Sequence, residues 1–174
     1  MNRDSEFDRH VEAALAALRA AGYRFDPDAF IRNTAYARLI MVEPPAALKV
    51  DFVNDSAPRF GSTVTGSLFP RIDAIGNILS NKITALYRLE GKDVADLWAI
   101  CRHESFGWSQ VMAEANEKEI GMDAATVADL IRSFPEALFE AIRWRRRPDR
   151  TEFLADLQAI AADVFAVREN SLSG

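Results

Sequence analysis

The chain is organised around residues 73–101, which read DAIGNILSNKITALYRLEGKDVADLWAIC. Apolar residues recur at spacings of three and four in this stretch, which is typical of amphipathic helices, and Gly91 predicts a break between two of them. Polar residues interrupt the apolar pattern, and charged residues of both signs crowd the break: Asn77, Asn81, Lys82, Arg88, Lys92, Asp93 and Asp96. Opposite charges at one helix junction are suited to cooperate around a phosphate group or a metal ion.

The length, composition and charge of the whole chain exclude several classes of protein. At 174 residues it has the length of one domain, or of one domain with a helical extension. The single cysteine, Cys101, excludes an internal disulfide and a cysteine-based zinc cluster. The net charge of −5 argues against a general nucleic-acid binder. The charged N-terminus and the lack of a long apolar run predict a cytoplasmic protein without a membrane partner.

The periodicity of the chain predicts a small sheet followed by a helical part. Alternating apolar residues predict strands at 34–42 and 47–54, and the short proline-containing link at 43–46 predicts an antiparallel hairpin. A third strand at 63–68 is weakly indicated. We expect an α+β fold in which residues 1–70 form an α/β part that packs as one unit with the helical part, 71–174. Helical spacing predicts helices at 5–21, 72–89, 93–103, 108–119, 123–133, 135–146 and 150–168.

Asp51 is the first candidate for chemistry, because it lies in the middle of a predicted strand. Its side chain points away from the face of Val50 and Phe52, and Lys49 shares its face. A carboxylate in a strand interior is disfavoured unless that face is solvated or functional. Asp51 is therefore a candidate Mg²⁺ ligand or a base for an attacking hydroxyl, and the alternative is that it lines a solvated sheet face.

Charged residues of the two predicted helices are the second group of candidates. Lys82 and Arg88 suit a triphosphate, since lysine acts as a point charge and arginine as a fork, but both also suit a solvated surface. Asp93 and Asp96 suit the cap and the first turn of the second helix. Alternatively, Lys92 and Asp93 reach into a cleft. The residues alone leave these alternatives open.

A cluster of arginines follows at the end of the helix predicted at 135–146. Cations are favoured at the C-terminal end of a helix, which accounts for the cluster without any ligand. Trp144 adds a stacking surface, so the alternative is a site for phosphate or for an RNA backbone. The cluster consists of Arg143, Arg145, Arg146, Arg147 and Arg150.

Two stretches of the chain together resemble a known protein family. Residues 48–60 read LKVDFVNDSAPRF, and residues 77–100 read NILSNKITALYRLEGKDVADLWAI. Both are similar to the AbiEii/AbiGii-type nucleotidyltransferases, which include toxins of type IV toxin–antitoxin and abortive-infection systems. The resemblance extends over residues 34–102, and its most specific part is the lysine helix with the arginine and the lysine–aspartate pair that follow it.

The resemblance implies a polymerase-β-like nucleotidyltransferase fold. Such enzymes hold Mg²⁺ on carboxylates and transfer a nucleotide from an NTP to an acceptor hydroxyl, which in the studied toxins of the family is on tRNA. A cognate antitoxin is a further partner that the resemblance suggests. It implies that Asp51 is the metal ligand or base and faces the helices of 73–101. It also implies catalytic roles for Lys82 and Asp93 and nucleotide-binding roles for the remaining matched residues, Lys49, Arg88, Lys92 and Asp96.

The chain departs from the family at its first motif, a Gly-Ser turn followed by D-x-D. No such motif precedes Asp51, and the pairs Gly61-Ser62 and Gly66-Ser67 follow it instead. Two-metal nucleotidyl transfer needs about three carboxylates, so Asp51 alone is insufficient. We therefore expect an incomplete nucleotidyltransferase-like sheet, in either a truncated enzyme or a non-catalytic relative that binds a nucleotide or a protein. A missing first strand leaves a sheet edge open, which predicts self-association.

Overall fold

The structure is a computed structural model that describes residues 4–43 and 46–173. The described residues form three strands and seven α-helices, so the predicted α+β class is confirmed. They divide into two compact units, Met1–Pro58 and Arg59–Gly174, and the division falls before the predicted boundary at residue 70. The nucleotidyltransferase-like fold, and the packing of both parts as one unit, stay predictions.

The first unit contains one helix and a three-stranded antiparallel sheet in the order β1-β2-β3. The hairpin predicted from the alternation of residues 34–42 and 47–54 is confirmed, and its predicted turn at Pro44 and Pro45 lies outside the described residues. Because β3 is an edge strand of this sheet, self-association through that edge stays a prediction. The elements are α1 (Phe7–Ala20), β1 (Ile31–Arg32), β2 (Tyr36–Glu43) and β3 (Ala46–Val53).

Alternation along the strands decides which face of the sheet is buried. One face of the sheet packs against the apolar side of α1 and forms a small core with it. Because successive side chains of a strand point to opposite faces, the residues that alternate with the buried ones point to the other face. That opposite face carries Tyr36 and Arg38 of β2 and their cross-strand neighbour Asp51. The buried members of the core are Phe7, Val11, Leu15, Ala37, Leu39 and Met41.

The named elements of the second unit are all helical and begin at Ile75, in agreement with the helical pattern predicted from residue 72 onward. α2 contacts both α3 and α4, and α7 contacts both α3 and α5, around a core that includes the fully buried Trp108, Phe139 and Phe153. The strand predicted at 63–68 does not form, since Val64 makes only an isolated bridge to Ile72. The helices are α2 (Ile75–Ala85), α3 (Gly91–His103), α4 (Trp108–Lys118), α5 (Ala124–Arg132), α6 (Glu136–Ala141) and α7 (Arg150–Phe165), and a 3₁₀ turn (Leu86–Arg88) follows α2.

One helix of this unit is much shorter than predicted. α6 ends at Ala141, and Ile142 takes an extended backbone conformation. A tight turn follows, in which the Trp144 N–H donates to the Ile142 carbonyl oxygen at 3.1 Å, and Ile142 and Trp144 both pack against the core. The prediction that the arginine cluster ends a helix is therefore wrong, because Arg143 and its neighbours follow the end of α6.

Candidate functional site

Asp51 lies in the first unit, where its carboxylate accepts hydrogen bonds from other side chains of the sheet. Its Oδ1 accepts hydrogen bonds from Tyr36 Oη at 2.8 Å and from Arg38 Nε at 2.8 Å. Its Oδ2 accepts one from Arg38 at 3.2 Å and lies 3.7 Å from Lys49 Nζ. The hydrogen bonds from Arg38 and then Tyr36 lower the pKa of Asp51 from 3.8 to about 2.

This arrangement does not fit the Mg²⁺ site that the resemblance implies. Mg²⁺ requires several oxygen ligands in octahedral geometry, and catalytic sites supply more than one carboxylate. Both oxygens of Asp51 already accept hydrogen bonds from Arg38. Within residues 4–43 and 46–173, no group of three or more His, Cys, Asp or Glu side chains is placed to hold a metal ion.

In the second unit the structure brings four of the predicted residues together, in what we call the Lys82–Asp93 cluster: Lys82, Arg88, Asp93 and Asp96. Asp93 is at its centre, with only 2% of its surface exposed. Lys82 Nζ donates to Asp93 Oδ1 at 3.0 Å, and Arg88 Nη2 donates to Asp93 Oδ2 at 3.3 Å. Asp96 Oδ2 lies 2.7 Å from Lys82 Nζ. One buried carboxylate therefore holds two cations.

Local backbone geometry explains how Lys82 and Arg88 reach the same carboxylate. On one continuous helix, residues six positions apart would not share a face. Here α2 ends at Ala85, and the following 3₁₀ turn closes at Leu89, which takes a left-handed conformation with φ of 51°. This reversal of the chain brings Arg88 back toward the start of α3.

The prediction that Asp93 caps the second helix is wrong. α3 begins at Gly91 with Glu90 as its N-cap, so Asp93 already lies within the first turn. On the helical wheel Asp93 is beside Leu97, which is fully buried, and this position turns the carboxylate inward. Its hydrogen-bond partners are therefore side chains of α2 and of the 3₁₀ turn.

The cations of the cluster differ in their exposure. The side chain of Lys82 is 24% exposed and that of Arg88 is 63% exposed. Burial acts to lower the pKa of Lys82, but its hydrogen bonds to Asp96 and Asp93 outweigh burial and raise the pKa above its ordinary value. Lys82 is therefore a permanent cation at neutral pH, and Arg88 is the more accessible one.

The two remaining predicted lysines do not join this cluster. Lys92 pairs with Glu90 at 2.6 Å, and its side chain is 69% exposed. This contact lowers the pKa of Glu90. Lys49 belongs to the first unit, beside Asp51, and its side chain is 58% exposed.

Sequence reasoning missed a polar contact between α2 and α4. Lys118 Nζ donates to Asn77 Oδ1 at 2.8 Å, to Ser80 Oγ at 2.7 Å and to Asn81 Oδ1 at 2.7 Å, and it also lies 3.0 Å from the Asn77 carbonyl oxygen. Asn77, Ser80 and Asn81 are spaced by three and four residues, so they occupy one face of α2. This spacing could have predicted from the sequence that one cation contacts all three side chains.

Sequence reasoning also missed a groove on the second unit, which we call the α3–α6 groove. Its volume is about 820 Å³, and its floor is largely apolar. The groove is distinct from the centre of the Lys82–Asp93 cluster, although Asp96 belongs to both. Residues of α3, of the link before it, of α6 and of the segment after α6 line it: Leu89, Glu90, Gly91, Lys92, Ala95, Asp96, Trp98, Ala99, Leu138, Ala141, Ile142, Arg143, Trp144, Arg145 and Arg146.

Comparison of the chain with protein-family models, curated proteins and solved structures finds no significant match. The resemblance to the AbiEii/AbiGii-type nucleotidyltransferases therefore stays a prediction that depends on residues 48–60 and 77–100. Among the described residues, no helix combines the length and the apolar character that crossing a membrane would require.

Proposed function

We propose that the protein binds the phosphates of a nucleoside triphosphate at the Lys82–Asp93 cluster and does not transfer the nucleotide. The observation that supports this is the convergence of Lys82 and Arg88 on the buried Asp93, at 3.0 and 3.3 Å. A buried carboxylate with two cations fixes their positions before any ligand arrives, which lowers the entropic cost of binding. This proposal takes up the non-catalytic alternative and leaves the cytoplasmic location and a cognate antitoxin as predictions.

Two features of the cluster make it suited to phosphate. The side chain of Arg88 is 63% exposed and makes one hydrogen bond to Asp93, so the other donors of its fork are able to meet phosphate oxygens. Asp96 is 55% exposed and holds Lys82 from the solvent side. A phosphate oxygen replaces Asp96 at Lys82 at a cost of about 1 kcal/mol, because the exposed Asp96 is then solvated, while Asp93 keeps the ammonium in place.

The state of Asp51 supports binding without transfer. A metal ligand or general base needs an oxygen available to the ion or to the attacking hydroxyl. Both oxygens of Asp51 accept hydrogen bonds from Arg38, and its pKa of about 2 makes it a weak proton acceptor. Catalysis by Asp51 would first require this bidentate ion pair to open.

Nucleotidyl transfer is the second candidate, and the retained combination of Asp51, Lys82 and Asp93 favours it. In this reading the protein uses Mg²⁺ and an NTP to modify an acceptor such as tRNA. Incubation of the protein with Mg²⁺, each labelled NTP and total tRNA tests it directly. We expect no labelled RNA above background. Labelling that is lost in Asp51→Ala would establish transfer and overturn the non-catalytic proposal.

Calorimetric titration with ATP, GTP, CTP and UTP, without added metal, tests phosphate binding. We expect Arg88→Gln to weaken binding about tenfold, since it removes a charge-assisted donor. Arg71→Gln is the matched control, because Arg71 is an exposed arginine of the same unit outside the cluster. Equal affinity in Arg88→Gln and in the wild type, or no binding of any of the four nucleotides, would contradict the proposal.

A further inference from the structure

The α3–α6 groove combines an apolar floor with a basic rim on one side. Eight of its lining residues have apolar side chains, and Trp98 and Trp144 are the largest of them. Its charged lining residues are four cations, Lys92 and three arginines, against two carboxylates, Glu90 and Asp96. On the α3 side, Lys92 pairs with Glu90, and Asp96 pairs with Lys82, so that wall is close to neutral.

The basic rim consists of Arg143, Arg145 and Arg146, which are all exposed. Among the described residues, none of these three arginines has a hydrogen-bond or ion-pair partner. The arginines that follow differ, since Arg147 pairs with Glu140 and Arg150 pairs with Glu136. Within the arginine cluster, the unpaired positive charge is therefore at the rim of the groove.

The backbone that carries the rim is fixed to the core. Trp144 Nε1 donates to the Phe139 carbonyl oxygen at 3.2 Å, and the Trp144 ring packs against Phe153 with ring centroids 5.5 Å apart. The Trp144 ring also meets Trp98 edge-on at 6.1 Å. Arg143 and Arg145 flank Trp144, so they lie on a segment that is ordered before binding. The entropic cost of ordering this segment on ligand binding is therefore small.

We propose that the α3–α6 groove docks an acidic amphipathic helix of a partner protein. The apolar side of that helix contacts the groove floor around Ala95, Ala99 and Ala141, where small side chains leave room for larger ones. Glutamate or aspartate residues along one edge of the helix pair with Arg143, Arg145 and Arg146. Helix-in-groove recognition has this composition, with apolar anchors at helical spacing and charges that set orientation.

The groove is less suited to nucleic acid than to such a helix. Bases stack on exposed aromatic faces, but Trp144 is only partly exposed and already contacts three other rings, those of Trp98, Phe139 and Phe153. The indole N–H of Trp98 is also taken, since it donates to Asp156 at 2.8 Å. A net charge of −5 further disfavours a polyanion as the partner, whereas an amphipathic helix gains most of its binding from the apolar floor.

Binding of synthetic helical peptides to the full chain tests this proposal. The probes are peptides of about 14 residues, or about four helical turns, with leucine on one face in several registers and glutamate elsewhere. Two control sets replace glutamate with lysine, or leucine with serine. Intrinsic fluorescence reports binding, because two of the three tryptophans line the groove and the third, Trp108, is fully buried.

Charge variants of the protein separate the groove from general electrostatics. We expect Arg143→Gln/Arg145→Gln/Arg146→Gln to weaken binding of the acidic peptides at least tenfold. The matched control, Arg9→Gln/Arg71→Gln/Arg132→Gln, removes three exposed arginines outside the groove and should leave binding within about twofold. Reversal of the rim to glutamate should transfer binding to the lysine peptides. Ala141→Glu, which leaves the rim intact, should abolish binding of the acidic set.

Several results would overturn the proposal. Absence of binding by every acidic amphipathic peptide would do so, and so would equal loss in the rim variant and its matched control. Equal binding of the serine peptides would show that the apolar floor is not used. If no peptide binds, and a uridine dodecamer binds the wild type but not the rim variant, the groove would be assigned to RNA instead. The Lys82–Asp93 cluster is unchanged in all of these variants, so NTP binding serves as an independent check of folding.

Discussion

Asp93 holds both cations of the Lys82–Asp93 cluster in place. It is 2% exposed, while its partners Lys82 and Arg88 are 24% and 63% exposed in their side chains. A buried carboxylate is tolerated only with partners, so the cluster stabilises the fold at the same time as it presents two cations to solvent.

Removal of the Asp93 carboxylate should destabilise the protein measurably. We expect Asp93→Ala to lower the free energy of unfolding by about 2 kcal/mol. The variant loses a buried hydrogen-bonded charge, and the largely buried Lys82 loses a hydrogen-bond acceptor. Asp96→Ala is the control and should cost less than about 0.5 kcal/mol, since Asp96 is 55% exposed. Urea denaturation followed by circular dichroism measures both. Equal losses in the two variants would contradict the central position of Asp93.

The protonation of Asp51 provides a second test at the scale of one residue. Its pKa is lowered to about 2 by Arg38 and then by Tyr36, so the ion pair contributes stability that is present above the ordinary pKa of 3.8. That contribution is lost as the pH falls from 3.8 toward about 2. A carboxyl NMR titration should give a midpoint near 2, and Arg38→Gln should move it toward 3.8. A midpoint near 3.8 in the wild type would show that Asp51 is free to act.

At the scale of elements, the sequence predicted which segments are helices and strands better than where they end. The pattern predicts too late an end for α6, because the helical spacing of residues 135–146 continues past Ala141. Burial of Ile142 and Trp144 from a non-helical turn then overrides the helical propensity of the chain, and the local pattern does not encode that long-range packing. The same limit applies to Asp93, whose partners are on α2 and the 3₁₀ turn.

The contact between α2 and α4 depends on Lys118, whose ammonium meets four oxygen atoms of α2. We expect Lys118→Met to lower the free energy of unfolding by about 1–3 kcal/mol, since Asn77 is 2% exposed and loses a partner. Lys92→Met is the control, because Lys92 is 69% exposed and pairs only with Glu90. Hydrogen exchange should quicken in α2 and α4 of Lys118→Met. Unchanged exchange there would contradict this assignment.

For the whole molecule, the α+β class and the order of a sheet before a set of helices followed from the periodicity of the chain. The residues of the Lys82–Asp93 cluster were also named from the sequence, but their grouping depends on the chain reversal at Leu89. The α3–α6 groove had no such signal, because its lining residues come from 89–99 and 138–146, two stretches that are distant in sequence. The role of Asp51 was likewise not predictable, since its partner Arg38 is on the neighbouring strand.

The two compact units predict separate folding. Residues 59–174 contain a continuous core that includes Trp108, Phe139 and Phe153 and all members of the Lys82–Asp93 cluster. We therefore expect the isolated fragment 59–174 to unfold cooperatively and to bind NTP within about threefold of the full chain. Thermal denaturation and the calorimetric titration measure this. A fragment without a cooperative transition would show that the second unit requires the first.

The most direct test of phosphate binding is the affinity of Asp96→Asn for ATP, measured by calorimetry beside the wild type. In the wild type, Asp96 Oδ2 forms an ion pair with Lys82 Nζ at 2.7 Å, and its negative charge repels an incoming phosphate. Its replacement by a neutral amide leaves Asp93 to hold Lys82, so we predict ATP binding that is about three- to tenfold tighter. Unchanged or weaker binding would show that Lys82 and Asp96 form a structural ion pair only, and would contradict a phosphate site at this cluster.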